Sequence, residues 1–210
     1  MKSKRKLLRG SRLYVILDAG SIGQKRLFKV AGLLRKSRVD IVQYRDKHSQ
    51  KNEILKRACR LRKIFSGSDT LFIINDYLDI AKIADSDGIH LGQKDISVNL
   101  ARRVLGKNKV IGLSCHNFKE AIRAKKLGAD YIGIGPIFPT PTKPGLKAIG
   151  CRIIKRVKEA VSLPFFPIGG INLDNLKLIK KCGASRVAVC RAVLKSINIR
   201  ESCAKFKSFL

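Results

Sequence analysis

Eight short apolar runs, each followed by a stretch of helical periodicity, recur along the whole chain. This alternation limits the fold more than any other feature. The runs cover residues 13–17, 41–44, 71–74, 88–91, 110–113, 131–134, 165–168 and 187–189. Their apolar positions are continuous rather than alternating, which marks strands buried on both faces of a parallel sheet. Between them lie amphipathic segments. Residues 23–36 place Leu27, Val30, Leu33 and Leu34 on one face, and residues 52–65 carry a stripe of Ile54, Leu55, Ala58, Leu61 and Ile64. Further helices are predicted over 78–84, 98–105, 118–127, 149–161 and 174–181 and in the tail to Leu210. Gly106, Gly128 and Gly183 act as stop signals for three of them. Eight βα units in 210 residues predict an α/β protein with a (β/α)8 TIM barrel, compact for that fold. An open doubly wound sheet is the alternative. No linker, low-complexity stretch or repeat period interrupts the pattern. One domain over 1–210 is therefore expected, with residues 1–11 as a basic N-terminal extension.

Composition narrows the class. Apolar residues make up 45% of the chain, which argues against disorder. The longest uncharged run, 160–172, is broken by Pro164, Pro167 and two glycines, so no membrane-spanning helix is expected. The apolar run after the basic start is too short for a signal-peptide core. The six cysteines form no CxxC pair, and no histidine stands at zinc-finger spacing. These features predict a cytoplasmic protein with reduced thiols. Forty-five Lys and Arg against 15 Asp and Glu give a net charge of +30. The basic residues recur on helical faces, as at Lys56, Arg57, Arg60, Arg62 and Lys63, with no aromatic-interleaved tail. They read as a solvated surface that attracts anionic ligands. A basic nucleic-acid-binding module is the competing class, and a salt-dependent gel shift separates the two.

The polar groups collect just after the strands. Gln43, Arg45 and Lys47 share one face of an extended segment, an amide and two cations suited to a polyanion, whereas Asp46 faces the other way. The same pattern fits a charged strand end in solvent. Asn75 and Asp76 follow the third strand and Asp95 the fourth. Two carboxylates beside a polyanion site suit a Mg²⁺ shared with a diphosphate, and they also suit helix N-caps, with Ser97 as a second candidate cap after the fourth strand. Ser114 and His116 follow the fifth strand without the glycines of a nucleophile elbow, which argues against a hydrolase. After the sixth comes a loop stiffened by Pro136, Pro139, Pro141 and Pro144, with Thr140, Thr142 and Lys143 as its polar groups. A glycine turn at Gly169–Gly170 and a strand-to-helix turn at Cys190–Arg191 follow the last two strands, where barrels of this kind cradle phosphate on backbone amides. The chain thus carries two expected anion sites on opposite sides.

The motifs QYRDK (43–47), IIND (73–76), DGIHLGQKD (87–95), GLSCHN (112–117), DYIGIGPIFPTPTK (130–143) and PIGGI (167–171) resemble those of the thiamine-phosphate synthase family. The likeness runs from Leu13 to Val193. It implies a transferase that joins hydroxymethylpyrimidine diphosphate to a thiazole phosphate, or its carboxylated form, releasing pyrophosphate. By resemblance, Gln43, Arg45, Lys47, Asn75 and Lys143 hold the pyrimidine diphosphate and Ser114 its ring. Asp76 and Asp95 ligate Mg²⁺. Thr140, Thr142, Gly170 and the backbone at Cys190 and Arg191 hold the thiazole phosphate. Arg45, Lys47 and Lys143 would stabilise the leaving group, and no covalent nucleophile is implied. The implied partners are small molecules, with no nucleic acid or membrane and scope for a homo-oligomer. Three residues depart from the family pattern: Arg191 where a small residue is usual, Tyr77 where a basic one is common, and Asp46 in place of Glu. The nearest competitor is a thiazole tautomerase of the same fold, which tends to lose the diphosphate-holding residues kept here.

Overall fold

In a computed structural model, residues 3–142 and 145–210 are described. The predicted alternation holds. Strands β1 (Leu13–Asp18), β2 (Ile41–Arg45), β3 (Leu71–Asn75), β4 (Gly88–Leu91), β5 (Val110–Cys115), β6 (Tyr131–Ile134), β7 (Phe165–Pro167) and β8 (Val187–Val189) are all parallel and pair in sequence order. β1 also pairs with β8, Leu13 opposite Val187, and a bridge between Ile168 and Ala188 joins the remaining edge. The sheet is therefore a (β/α)8 barrel.

Helices cover the outside: α3 (Leu27–Lys36), α4 (Lys51–Phe65), α5 (Leu78–Ile83), α6 (Val98–Leu105), α7 (Phe118–Lys126), α8 (Arg152–Ala160), α9 (Leu176–Lys181) and α11 (Ile199–Phe209). Three start later than periodicity predicts. α3 is preceded by a 3-10 turn at Gln24–Arg26, and α8 and α9 begin at Arg152 and Leu176. Gly23 and Gly150 take positive φ (74° each), a non-helical backbone that delays the first two of those starts. Two short helices, α2 (Ala19–Ile22) and α10 (Arg191–Leu194), sit directly on strand ends.

The two faces of each strand feed two cores. Outward residues such as Leu13, Val15, Val42, Tyr44, Phe72 and Ile74 pack against the helices. Inward residues Tyr14, Ile16, Ile41, Leu71, Ile73, Val110, Tyr131, Phe166 and Ala188 fill the barrel. The basic N-terminal segment is also helical, α1 (Lys4–Gly10), capped by Ser3. It lays buried Leu8 into the interior cluster and holds the strands' amino ends through Arg5 to Asp130 (3.0 Å) and Lys4 to Asp87 (3.6 Å). Carboxylates at that end tie neighbouring strands together. Asp40 accepts the amide of Leu13, Asp87 that of Phe72 and Asp130 that of Ile111. In this fold the amino end serves stability and leaves the carboxyl end for chemistry.

Candidate active site

At the carboxyl end of the strands lies a cavity of about 400 Å³. Its lining includes Gln43 and Arg45 from β2, Asn75 from β3 and Ser114 from β5. Thr140 and Thr142 from the loop after β6, Gly170 after β7, and Cys190 and Arg191 after β8 complete the opposite side. Lys143 lies outside the described residues.

The β2 wall follows from strand alternation. Gln43 and Arg45 point inward, and Arg45 is held by an ion pair with buried Asp18. Asp18 also caps α2, accepting from the amide and hydroxyl of Ser21, each at 2.8 Å. Its role as the anchor of Arg45 is invisible in sequence, because it ends an otherwise apolar strand. Asp46 faces outward, where Arg57 of α4 (3.0 Å), Tyr44 (3.1 Å) and the amides of His48 and Ser49 donate to it. That anchor fixes the turn carrying Lys47.

Lys47 lies beside the cavity lining and pairs with Asp76. Asp76 has a left-handed backbone (φ 62°) and gives its amide to the His90 carbonyl of β4 at 2.9 Å. Neither carboxylate caps a helix. Ser97 caps α6, α5 has no side-chain cap, and Asp95 accepts from the Gly92 amide at 2.6 Å. Lys47 donates to the Asp76 carboxyl, and the Asp95 carboxylate acts on it from nearby. Burial first, then the Asp95 carboxylate, raise its pKa against the pull of Lys47. Two hard oxygen donors meeting in partial burial, one of them already on an ammonium, form a setting that fits a divalent cation. Among the described residues no cluster of three ligating side chains exists, so any such ion would take its remaining ligands from substrate and water.

The opposite wall depends on close backbone approach. Gly169 (φ 96°) and Gly170 (φ 64°) turn after β7, and a Cβ on Gly170 would stand 2.6 Å from both Phe138 Cβ and the Pro139 carbonyl. Only glycine lets this turn lie against the proline loop and bring Thr140 and Thr142 beside it. Asn175 clamps the turn, donating to the Gly170 carbonyl at 2.9 Å. The thiols facing the cavity are not poised nucleophiles. Burial pushes Cys190 up to about 11 and Cys115 up to about 12.

A polar chain crosses the cavity floor and escapes sequence inspection. Gln43 Nε2 donates to the Tyr14 hydroxyl (2.6 Å), which meets the Tyr131 hydroxyl (3.0 Å). Tyr131 meets His90 Nδ1 (3.1 Å), and His90 Nε2 meets Ser114 Oγ (3.0 Å). A serine on an imidazole is the start of a nucleophilic pair, but here the imidazole's far nitrogen meets a phenol, not a carboxylate. His116 is paired with a carboxylate, Glu120, at 3.1 Å.

The barrel and its polar carboxyl end place the chain among α/β-barrel enzymes, and the comparisons narrow that class. The sequence profile of the thiamine monophosphate synthase family matches residues 13–193. A thiamine-phosphate synthase of Clostridioides difficile (strain 630) is 39% identical over 206 residues, 98% of each chain. One from Methanosarcina barkeri is 39% identical over 204 residues, 97% of this chain and 92% of its own. The solved structure of a thiamine phosphate pyrophosphorylase from Pyrococcus furiosus superposes with a TM-score of 0.83 at 30% identity, covering 98% of this chain and 96% of its own. The chain belongs to the thiamine monophosphate synthase family and is a transferase of that class. No helix among the described residues is long and apolar enough to cross a membrane.

Proposed function

We propose that the cavity joins 4-amino-2-methyl-5-(diphosphooxymethyl)pyrimidine to 4-methyl-5-(2-phosphoethyl)thiazole, or its carboxylated form, releasing pyrophosphate and giving thiamine phosphate. The observation that carries this reading is one cavity with two anion-suited walls, Gln43 and Arg45 on one side and Thr140, Thr142, Gly170 and Arg191 on the other.

In this reading Arg45, Lys47 and Asn75 hold the diphosphate, with Lys143 assigned from its position in the loop motif. Ser114 and Gln43 hold the pyrimidine ring. Thr140, Thr142, the Gly170 turn and the backbone at Cys190 and Arg191 hold the thiazole phosphate. Departure of pyrophosphate leaves a pyrimidinylmethyl cation, and the thiazole nitrogen captures it. Arg45 and Lys47 match the charge that grows on the leaving oxygens. Seating both partners in one cavity aligns the nitrogen with the carbon it attacks. Asp76 and Asp95 would hold Mg²⁺, which when bound neutralises diphosphate charge. No protein nucleophile is required, in keeping with the neutral thiols facing the cavity. The reading treats residues 1–210 as one domain working on small anions in the cytoplasm. It prefers the synthase to the tautomerase because Gln43, Arg45, Lys47, Asp76, Asp95 and Lys143 are all present in the sequence.

The test is incubation of the purified chain with both substrates and Mg²⁺, followed by chromatography for thiamine phosphate and a pyrophosphate assay. Equimolar formation of the two products is expected. Turnover of a thiazole phosphate alone, with no pyrophosphate, would replace this reading with the tautomerase.

A further inference from the structure

The five side chains on the cavity floor come from five strands, β2, β1, β6, β4 and β5, and form one continuous hydrogen-bonded path. Its two ends, Gln43 and Ser114, line the cavity, as do Tyr14 and His90. Tyr131 is different. It is fully buried, and its hydroxyl lies between Tyr14 and His90. The backbone makes room for it: a Cβ on Gly112 would stand 2.1 Å from Tyr131 Cζ and 2.5 Å from His90 Nδ1.

The direction of every proton on this path follows from one end. A Gln43 amide nitrogen only donates, so the Tyr14 oxygen accepts and its proton goes to Tyr131. Tyr131 in turn donates to His90 Nδ1. The imidazole proton then sits on Nε2 and is given to Ser114 Oγ. Ser114 is left with its own proton to offer the cavity, while Gln43 is left with its amide oxygen. Burial holds both phenols well above their ordinary pKa, so their protons stay in place. Turning the Gln43 amide over would reverse each donor in sequence, and Ser114 would become an acceptor. The two cavity-facing groups therefore always carry opposite polarity.

We propose that Tyr131 is a positioning residue that couples an acceptor at Gln43 to a donor at Ser114, so that the pocket selects a 4-aminopyrimidine over its 4-oxo analogue. The proposal rests on the function given above. The 4-amino group donates, and ring N1 across from it, which carries no hydrogen in either the amino form or the 3H-oxo form, accepts, which matches the Gln43 oxygen on one side and the Ser114 hydroxyl on the other. An oxo group in place of the amine asks Gln43 to flip. The flip is transmitted through Tyr131 and His90 and turns Ser114 into an acceptor that faces another acceptor. One wrong atom then mismatches two contacts, and a site built on buried hydrogen bonds rejects such an analogue strongly. In an uncoupled pocket Gln43 flips alone and only weak selection remains.

The experiment compares kcat/KM for the 4-amino and 4-oxo pyrimidine diphosphates in wild type and Tyr131→Phe. Wild type is expected to prefer the amino substrate by about a hundredfold or more. Tyr131→Phe keeps the packed ring and removes the one hydroxyl, so the preference should fall at least about tenfold. The change should lie in the pyrimidine KM, with the thiazole-phosphate KM unmoved. A Tyr131→Phe enzyme that retains the full preference overturns the proposal, whatever its melting temperature. Should that variant fail to fold, the ¹⁵N shifts of His90 in the free wild-type protein decide. A neutral ring protonated on Nε2 supports the polarity that favours the amino substrate, and one protonated on Nδ1 shows the reversed polarity and overturns the proposed preference. A wild type that makes no thiamine phosphate while His90 shows the Nε2 tautomer rejects the function and the selectivity together, and leaves only the hydrogen-bonded path.

Discussion

Replacing Asp46 with alanine removes a carboxylate that is 2% exposed and accepts from Arg57, Tyr44 and the amides of His48 and Ser49. Breaking one side of a buried ion pair typically costs about 3–5 kcal/mol, because the other charge loses its partner. Here Arg57 retains the Ser49 hydroxyl at 2.7 Å and Glu53 at 3.7 Å. That places the expected loss at the lower end, about 3 kcal/mol. Asp46→Asn keeps an acceptor for the His48 and Ser49 amides but sets an amide donor against Tyr44 and Arg57, so it should recover only about 1 kcal/mol of that loss. Urea denaturation at pH 7 measures both. The sign of the pH dependence is fixed as well. Burial raises the Asp46 pKa, but the Ser49 hydroxyl, the His48 and Ser49 amides and Tyr44 together hold it below its ordinary value. A depressed folded pKa gives stability that is complete above the unfolded value, about 4, and is lost as pH falls through the folded one. The gap between wild type and Asp46→Ala should stay constant from neutral pH to about pH 5 and shrink below about pH 4. The turn that Asp46 anchors carries Lys47, so the KM for the pyrimidine diphosphate should rise in step with the loss of stability. A variant within about 0.5 kcal/mol of wild type, or a gap that widens in acid, would refute the reasoning.

Three further outcomes are expected. Asp76→Ala should abolish most turnover while circular dichroism and melting show an intact fold; normal rates at limiting Mg²⁺ would remove Asp76 from the metal site. Lys47→Ala should raise the KM for the pyrimidine diphosphate about ten- to a hundredfold and that for thiazole phosphate far less, and equal losses in steady-state kinetics would count against the division of the two walls. Arg191→Ser should raise the thiazole-phosphate KM alone, and an unchanged constant at low salt would assign Arg191 to the general basic surface.

The strands were legible because each is a short apolar run buried on both faces, and composition alone carries that signal. α1 was not, because KRKLLRG holds only Leu7 and Leu8 among basic residues and shows no periodicity. Its helix exists because Leu8 has a barrel floor to enter. α2 spans four residues, too short for a period to register. At the site, the inward phase of Gln43 and Arg45 and the outward phase of Asp46 followed from alternation and match the structure. The choice between cap and free carboxylate at Asp95 did not, since both need an acid in the same place; the Gly92 contact settles the geometry. The floor of the cavity was hidden for another reason. Tyr131 lies 117 positions from Tyr14 and 41 from His90, and each reads as an ordinary strand residue until barrel closure sets them face to face.

That closure joins the chain's first strand to its last, Leu13 beside Val187, with the Arg186 guanidinium on the Arg9 carbonyl 177 positions away. At ordinary rates of protein synthesis the ribosome needs roughly 10–30 s to travel between those segments. Until β8 is made, β1 can gain β2 on one side but keeps an unpaired edge on the other. Tyr14 waits with half its neighbours unmade. The nascent chain therefore carries an open strand for most of its time on the ribosome. The pocket comes into being only when β8 pairs with β1, so a chain ending before Val187 would have every cationic residue of the β2 wall and no closed cavity to place them around.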